Sequence, residues 1–283
     1  MGTVESIFRA GLFTGKTAVV SGGGTGIGRA IACELASLGA TVIICSRSAE
    51  HIEPTRAEIE AAGGHAIALI CDIRDVDAVE AFWSDAIERA GPVDALVNNA
   101  GGQFLSPAEL ISPGGWRAVI ETNLTGAFNM SRAAFLHGFR ERGGTIVNIV
   151  ADMWRGFPGM AHTGAARAGV VNLTQTLALE WAAAGVRVNA VAPGLINSSG
   201  LKTYPEAVRA QLDAIARDIP ARRMGTEEEV AAAVLFLLSP ASAFISGATL
   251  RVDGAGSLYR LQGYAIPEHA AWPAFGGKGD DAG

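Results

Sequence analysis

What the chain has little of narrows it first. Cysteine occurs three times in 283 residues, at Cys33, Cys45 and Cys71, an odd number with no C-x-x-C pair. That argues against a disulfide-built domain and points to free thiols in a reducing compartment. Nowhere do His, Cys, Asp and Glu gather at ligand spacing, so no metal is expected. Basic charge is short too: 22 Lys and Arg face 28 Asp and Glu, a net charge of −6. A nucleic-acid partner would want a basic face, so none is expected. The longest uninterrupted apolar run, Val230–Leu238, is too short for a bilayer and is followed by Pro240. The N-terminus carries Glu5 and Arg9 without an apolar stretch of signal-peptide length. Tyrosine is scarce, at Tyr204, Tyr259 and Tyr264 only. No repeat and no linker interrupts the chain.

Glycine, by contrast, is abundant, and one use of it organises the rest. Thr17–Ser21 is a short β-branched run. Gly22, Gly23, Gly24, Thr25, Gly26, Ile27 and Gly28 follow, and then an Ala-rich segment with Ile31, Leu35 and Leu38 at helical spacing. Strand, glycine turn and helix open a dinucleotide-binding unit. Glycines permit positive φ and let backbone N–H groups approach a pyrophosphate, while the helix start adds unpaired donors and the positive end of its dipole. The spacing, Gly22-x-x-x-Gly26-x-Gly28, differs from the common G-x-G-x-x-G.

Further apolar runs predict strands over Thr41–Ser46, Ala66–Cys71, Ala95–Val97, Thr145–Val150, Val186–Val191 and Thr249–Val252. Between them, helices are predicted over Ala49–Ala62, Val76–Ala90, Trp116–Arg142 (one long helix, with room for a bend), Thr163–Ala184, Leu201–Asp218 and Thr226–Leu238. Uncharged strands alternating with helices imply an α/β fold, a doubly wound seven-stranded parallel sheet of Rossmann type in a single domain. Residues 1–11 read as an N-terminal extension, 12–254 as the catalytic domain with a substrate lid over 194–225, and 255–283 as a C-terminal extension with a fraying end from Gly276.

Ligands of an open parallel sheet lie beyond the carboxyl ends of its strands. The second strand ends in Ser46-Arg47. A carboxylate there would suit the ribose 2′-OH of NAD, whereas the fork of Arg47 suits a 2′-phosphate, which predicts NADP. A solvated surface arginine would look the same. Asp72, with Ile73, is placed to accept from an adenine amino group or to favour the start of the next helix. Small residues in Asn98-Asn99-Ala100-Gly101-Gly102 let a ribose lie on the backbone, with the amides tying strands together.

Asn98-Asn-Ala-Gly101, Asn123 within Glu121-Thr-Asn-Leu-Thr-Gly126, Pro193-Gly194 and Asp253-Gly254 together resemble the short-chain dehydrogenase/reductase family over about Leu12–Gly254. The resemblance implies that Gly22, Gly24, Thr25, Gly26, Ile27 and Gly28 hold the diphosphate. It further implies that Ser46, Arg47, Asp72 and Ile73 face the adenosine, and Asn99, Ala100 and Gly101 the ribose. Pro193, Gly194, Ile196 and Ser198 would then line the nicotinamide side. That family usually places a serine after the fifth strand and Tyr-x-x-x-Lys on the next helix. Here the fifth strand ends in Val150-Ala151, and the residues four beyond the tyrosines are Val208, Gly263 and Glu268. Aligning Arg167-Ala-Gly-Val170 with the family's Lys-Ala-Gly-Val puts Thr163 at the tyrosine position and Arg167 at the lysine position. Arg167 can bond ribose hydroxyls but cannot act as a base, and a threonine hydroxyl is a far weaker acid than a phenol.

The stretch Gly156–Val170, together with Gly102–Glu109, Ser257-Leu-Tyr259 and Pro267–Pro273, resembles the peroxisomal trans-2-enoyl-CoA and 2,4-dienoyl-CoA reductase branch. This implies reduction of a C=C bond conjugated to a thioester, with hydride to Cβ and a proton to Cα. Asn123, Thr163 and Arg167 are then the donors or organisers of the thioester oxygen. Asp152, His162 and Tyr204 are the proton-donor options; the first also reads as a helix-capping or surface aspartate, the second as a loop histidine tied to backbone and the third as a partly buried lid aromatic. Arg155, Lys202, Arg222 and Arg223 are available for CoA phosphates. The end, Asp-Asp-Ala-Gly283, lacks the Ser-Lys-Leu type of peroxisomal signal, so a cytoplasmic protein is expected. The resemblance also implies a homotetramer or homodimer, packed through the two long helices.

Overall fold

The computed structural model describes residues 6–203, 206–259 and 266–275. Seven strands, β1 (Thr17–Ser21), β2 (Thr41–Ser46), β3 (His65–Ile70), β4 (Ala95–Asn98), β5 (Gly144–Ile149), β6 (Val186–Pro193) and β7 (Thr249–Val252), form one sheet in the order β3-β2-β1-β4-β5-β6-β7. Every neighbouring pair is parallel. β1 pairs with β2 on one side and β4 on the other, so the chain changes direction across the sheet there. The loops after β1 and β4 therefore part and leave a crevice at their carboxyl ends.

Helices cover both faces. Against one lie α1 (Gly26–Ser37), α2 (Ala49–Ala61) and α9 (Glu227–Leu238), where Ile31, Leu35, Val234 and Leu235 pack with Val20, Val42 and Val191. Against the other lie α3 (Val76–Ala90), α5 (Gly126–Ala134) and α7 (Ala161–Glu180), where Phe82, Trp83, Met130 and Leu177 pack with Val19, Ile43, Leu96 and Ile146. Burial on both faces is why the strands read as uninterrupted apolar runs. Start signals in the sequence act as caps. Asp75 accepts from the N–H groups of Asp77 and Ala78. Thr226 and Glu229 form a reciprocal capping box on α9.

Several boundaries differ from expectation. The long helix begins at Pro113, because Ser112 caps it by accepting from the Gly115 N–H at 3.0 Å. It is also interrupted. After α4 (Pro113–Ile120) comes a π-turn over Glu121–Thr125, and after α5 a second over Phe135–Phe139, where Gly138 has φ 156° before α6 (Arg140–Arg142). α7 starts two residues early and ends at Glu180, where a tight turn over Ala182–Ala184 takes over. β6 runs on to Pro193 because β7 pairs with it that far. The segment expected as one helix from Leu201 is a short 3-10 turn over Ser199–Thr203 and then α8 (Glu206–Asp218).

The segment over 194–225 leaves and rejoins the sheet at one neck. The Gly225 N–H donates to the Leu195 carbonyl at 2.9 Å, and the Asn197 N–H to the Gly225 carbonyl at 2.8 Å. Beyond β7 the chain folds back on this neck. The Trp272 N–H donates to the Ala221 carbonyl, Arg223 donates to the Trp272 and Pro273 carbonyls, and the Thr226 hydroxyl donates to the Phe275 carbonyl. The expected frayed end, 276–283, lies outside the described residues.

Candidate active site

The glycine turn is as tight as its composition suggests. A Cβ on Gly28 would stand 2.2 Å from the Gly22 carbonyl oxygen and 2.4 Å from Asn99 Nδ2, and one on Gly24 would stand 1.9 Å from the His51 carbonyl oxygen. Glycine is thus demanded here by packing of the turn on β4 and α2, before any ligand arrives. Asn99 Nδ2 donates to the Ser21 and Gly22 carbonyls, and the N–H groups of Asn99 and Ala100 donate to Ser21 Oγ. These bonds fix the ends of β1 and β4 against each other. Thr25 precedes α1 without a side-chain capping bond, so the first-turn N–H groups of Gly26, Ile27 and Gly28 lack an internal cap.

Two cavities flank this turn along the carboxyl edge and share Asn99 and Gly101. One, of about 540 Å³, is lined by Gly22, Gly24, Thr25, Ser46, Arg47, Asp72, Ile73, Ala100 and also by Ser48, His51 and Arg74. Arg47 is exposed and forms no ion pair among the described residues. Asp72 is not a free acceptor. Arg74 binds both of its carboxylate oxygens and holds its pKa below the ordinary range. An adenine amino group would have to share an oxygen with Arg74, a partner the sequence reading missed. The Arg47, Arg74 and Asp72 group carries one net positive charge, which suits an anion.

The second cavity, of about 500 Å³, is lined by Ile27, Gly102, Gln103, Leu105, Asp152, Phe157, Met160, Arg167, Pro193 and Gly194. Leu195, Ile196, Ser198, Leu201, Val208 and Leu212, from the 194–225 segment, close its far wall. Gly194 brings the chain onto Asp253, since a Cβ there would lie 2.8 Å from its Cα. Arg167, at the level of Gly101, donates to the Ile149 carbonyl at 2.7 Å. Burial without a carboxylate partner lowers its pKa to about 10, so it remains a cation at neutral pH. Asp152 faces the same cavity. Burial, and secondarily the charge of Asp253, raise its pKa despite opposing contributions from Arg155 and Arg251.

Asn123 is buried in the first π-turn. Its Nδ2 donates to the Gly102 and Val119 carbonyls, and its Oδ1 accepts from the Gly102 N–H at 3.4 Å. With both donors committed, Asn123 organises the loop carrying Gly101 and Gly102 and cannot itself hold a substrate oxygen. Beneath it, Asn98 Nδ2 donates to Asn148 Oδ1 and Ser131 Oγ, and Asn148 donates to Thr174. This buried chain ties β4, β5, α5 and α7.

Thr163 and His162 are placed differently from expectation. Both side chains are fully buried, and neither lines either cavity. Thr163 cannot replace a phenol at a substrate carbonyl from there. The Thr163 N–H donates to His162 Nδ1 at 2.7 Å, and burial lowers the His162 pKa, so the imidazole is neutral and has no ionisable proton to give. Tyr204 lies outside the described residues. Among the described residues no tyrosine lines the second cavity. The three arginines available for CoA phosphates are engaged elsewhere: Arg155 donates to the Gly256 and Tyr259 carbonyls, Arg222 donates to the Arg217 carbonyl at 2.9 Å, and Arg223 pairs with Glu229 at 2.6 Å.

Residues 21–256 match the family model described as Enoyl-(Acyl carrier protein) reductase. The chain belongs to the short-chain dehydrogenase/reductase family. It is 39% identical over 243 residues to a "Probable 2,4-dienoyl-CoA reductase" of Bacillus subtilis (strain 168), covering 84% of this chain and 95% of that one. Among solved structures it resembles the citronellol catabolism dehydrogenase AtuB of Pseudomonas aeruginosa PAO1, with 49% identity, TM-score 0.81, and coverage of 89% and 99%. It also resembles an actinorhodin polyketide ketoreductase solved with NADPH, with 34% identity, TM-score 0.82, and coverage of 89% and 100%. The chain is therefore an oxidoreductase of this family, and its relatives act on more than one kind of substrate. Among the described residues the second cavity presents Asp152 and Arg167 and no tyrosine. Among the described residues no helix is long and apolar enough to cross a membrane.

Proposed function

We propose that the protein reduces the C=C bond of an enoyl-CoA or dienoyl-CoA thioester with NADPH. The observation that carries this reading is the second cavity, apolar over much of its wall, with a carboxyl of raised pKa and, among the described residues, a cation without a carboxylate partner and no phenol. Carbonyl reduction must protonate an alkoxide as it forms. Reduction of a conjugated C=C passes instead through an enolate, which a carboxylic acid or water can protonate.

The pocket residues fit a dinucleotide. The glycine cradle and open α1 terminus suit a diphosphate, Arg47 a 2′-phosphate, and Arg167 the ribose hydroxyls beside Gly101. When bound, NADPH would supply the hydride, to Cβ of an enoyl thioester or to Cδ of a 2,4-dienoyl one. Asp152 holds the proton destined for Cα, and Asn123 keeps Gly101 and Gly102 in place. The 194–225 segment excludes water over the acyl chain. Replacing Arg167 by Ala should raise the KM for NADPH by about 10- to 100-fold, the loss of one charged hydrogen bond. Steady-state kinetics check this, and unchanged kinetics would remove Arg167 from the ribose site.

NADPH oxidation with crotonyl-, decenoyl- and 2,4-dienoyl-CoA, set beside ketones and aldehydes, tests the reaction class. Turnover of ketones alone would favour the carbonyl reading, to which the ketoreductase likeness lends weight. NADPH binding without any turnover would favour a non-catalytic binding protein. We further propose a homodimer or homotetramer. Trp116, Phe128, Leu136 and Leu179 leave apolar surface exposed on the two long helical stretches. Light scattering should give two or four times the chain mass, and a monomer would contradict it.

A further inference from the structure

A buried imidazole beside the cavity is left with an unmet donor. His162 has no solvent exposure, and its Nε2 has no hydrogen-bond partner; among the described residues Trp83 Nε1 and Asn98 Oδ1 share that condition. Because the Thr163 N–H already occupies Nδ1, the neutral ring carries its proton on Nε2. An N–H held this way, at the start of a helix, gives a hydrogen bond without giving up its proton.

Its surroundings lead to the cavity. Met160 and Arg167, on either side of His162 in the chain, both line it. The ring packed against the imidazole is Phe104, edge to face at 4.4 Å and 71°. Phe104 is 40% exposed, and its neighbours Gln103 and Leu105 also line the cavity. Phe104 itself does not line the cavity, but it lies between two residues that do, and it is the side chain that must turn for the imidazole to reach that space.

We propose that His162 is the donor to the thioester oxygen: when an acyl chain turns Phe104 aside, Nε2–H hydrogen-bonds the carbonyl oxygen. As hydride bonds to Cβ, the C=C π pair shifts toward Cα and negative charge gathers on that oxygen, where a fixed donor stabilises it. The Cα–H bond then forms with the Asp152 proton. This assignment rests on the thioester reading above. It also gives His162 a role other than the proton donor that sequence reading considers.

The test uses His162→Phe, which keeps a ring and removes the donor, and His162→Gln, which keeps a donor. His162→Phe should lower kcat for enoyl-CoA by about 10²–10³-fold, leave NADPH affinity unchanged and leave the unfolding midpoint no lower. His162→Gln should recover part of the rate. Isotope-edited infrared spectra of the NADP⁺ complex with an enoyl-CoA labelled at the carbonyl carbon give a direct readout. The C=O stretch should fall relative to free thioester in the wild type and in His162→Gln, and stay at the free value in His162→Phe. A wild-type spectrum without the shift overturns the proposal even if a variant does not fold. So does a His162→Phe protein with wild-type kcat. If the wild type reduces no C=C thioester at all, the thioester reading itself has failed, which is a distinct result.

Discussion

Replacing Asp152 by Asn is expected to lower kcat for enoyl-CoA reduction by about 10²–10⁴-fold, the range for losing a positioned general acid. NADPH affinity should change far less than kcat, because Asp152 lies outside the adenosine cavity that holds Arg47 and the glycine turn. The pH profile carries the sharper signature. Burial and the neighbouring Asp253 raise the Asp152 pKa, so the acid keeps its proton to higher pH than an exposed carboxyl. The wild-type rate should therefore decline as pH rises through that pKa, and the residual rate of the variant should lack this limb. The substitution should raise stability at neutral pH while it lowers the rate. A carboxyl whose folded-state pKa lies above its unfolded value contributes stability at low pH that is lost as pH rises between the two. Asparagine carries no such penalty, so the variant should unfold at a higher temperature at neutral pH. Gained stability with lost rate marks a site held at a cost for function. A variant with wild-type kcat would place the proton donor elsewhere.

Replacing Arg47 by Ala should weaken NADPH by about 10- to 100-fold, from the 1.5–3 kcal/mol of a charged hydrogen bond, and leave NADH almost unaffected. The structural case is that Arg47 is exposed at the end of β2, forms no ion pair among the described residues, and lines the adenosine cavity. The carboxylate that might have neutralised it, Asp72, is already taken by Arg74 at 2.6 Å. A guanidinium fork at that point matches a 2′-phosphate, and the preference should shrink as salt screens it. Titration calorimetry with both nucleotides measures the ratio. Equal loss for NADPH and NADH would show that Arg47 does not read the phosphate.

The fold is legible because its signals are local. Uncharged β-branched runs such as Thr41–Ser46 mark strands buried on both faces, and Thr226 with Glu229 marks a helix start. The turn Gly22–Gly28 is readable for the same reason, although the sequence ties its glycines to a ligand while the structure shows them also required by Asn99 and His51. Side-chain commitments are what the sequence conceals. Nothing local shows that Arg74 turns back onto Asp72, that Arg155 reaches the Gly256 and Tyr259 carbonyls about a hundred residues away, or that Phe104 lies on His162. The Arg155 and Phe104 contacts join elements that meet only after the sheet has formed, and the Arg74 contact is a side-chain choice within one turn. Thr163 shows the limit of alignment: it stands at the tyrosine position, yet its short side chain leaves it sealed in the protein interior instead of reaching the cavity.

The most direct measurement follows a label from NADPH deuterated at the transferred position of nicotinamide C4 into trans-2-decenoyl-CoA, read by mass spectrometry and NMR of the product. Deuterium should appear on Cβ of the saturated acyl-CoA, with the Cα proton drawn from solvent. Enoyl-CoA recovered unlabelled and unchanged, while a ketone added to the same mixture takes deuterium at its carbonyl carbon, would contradict the account.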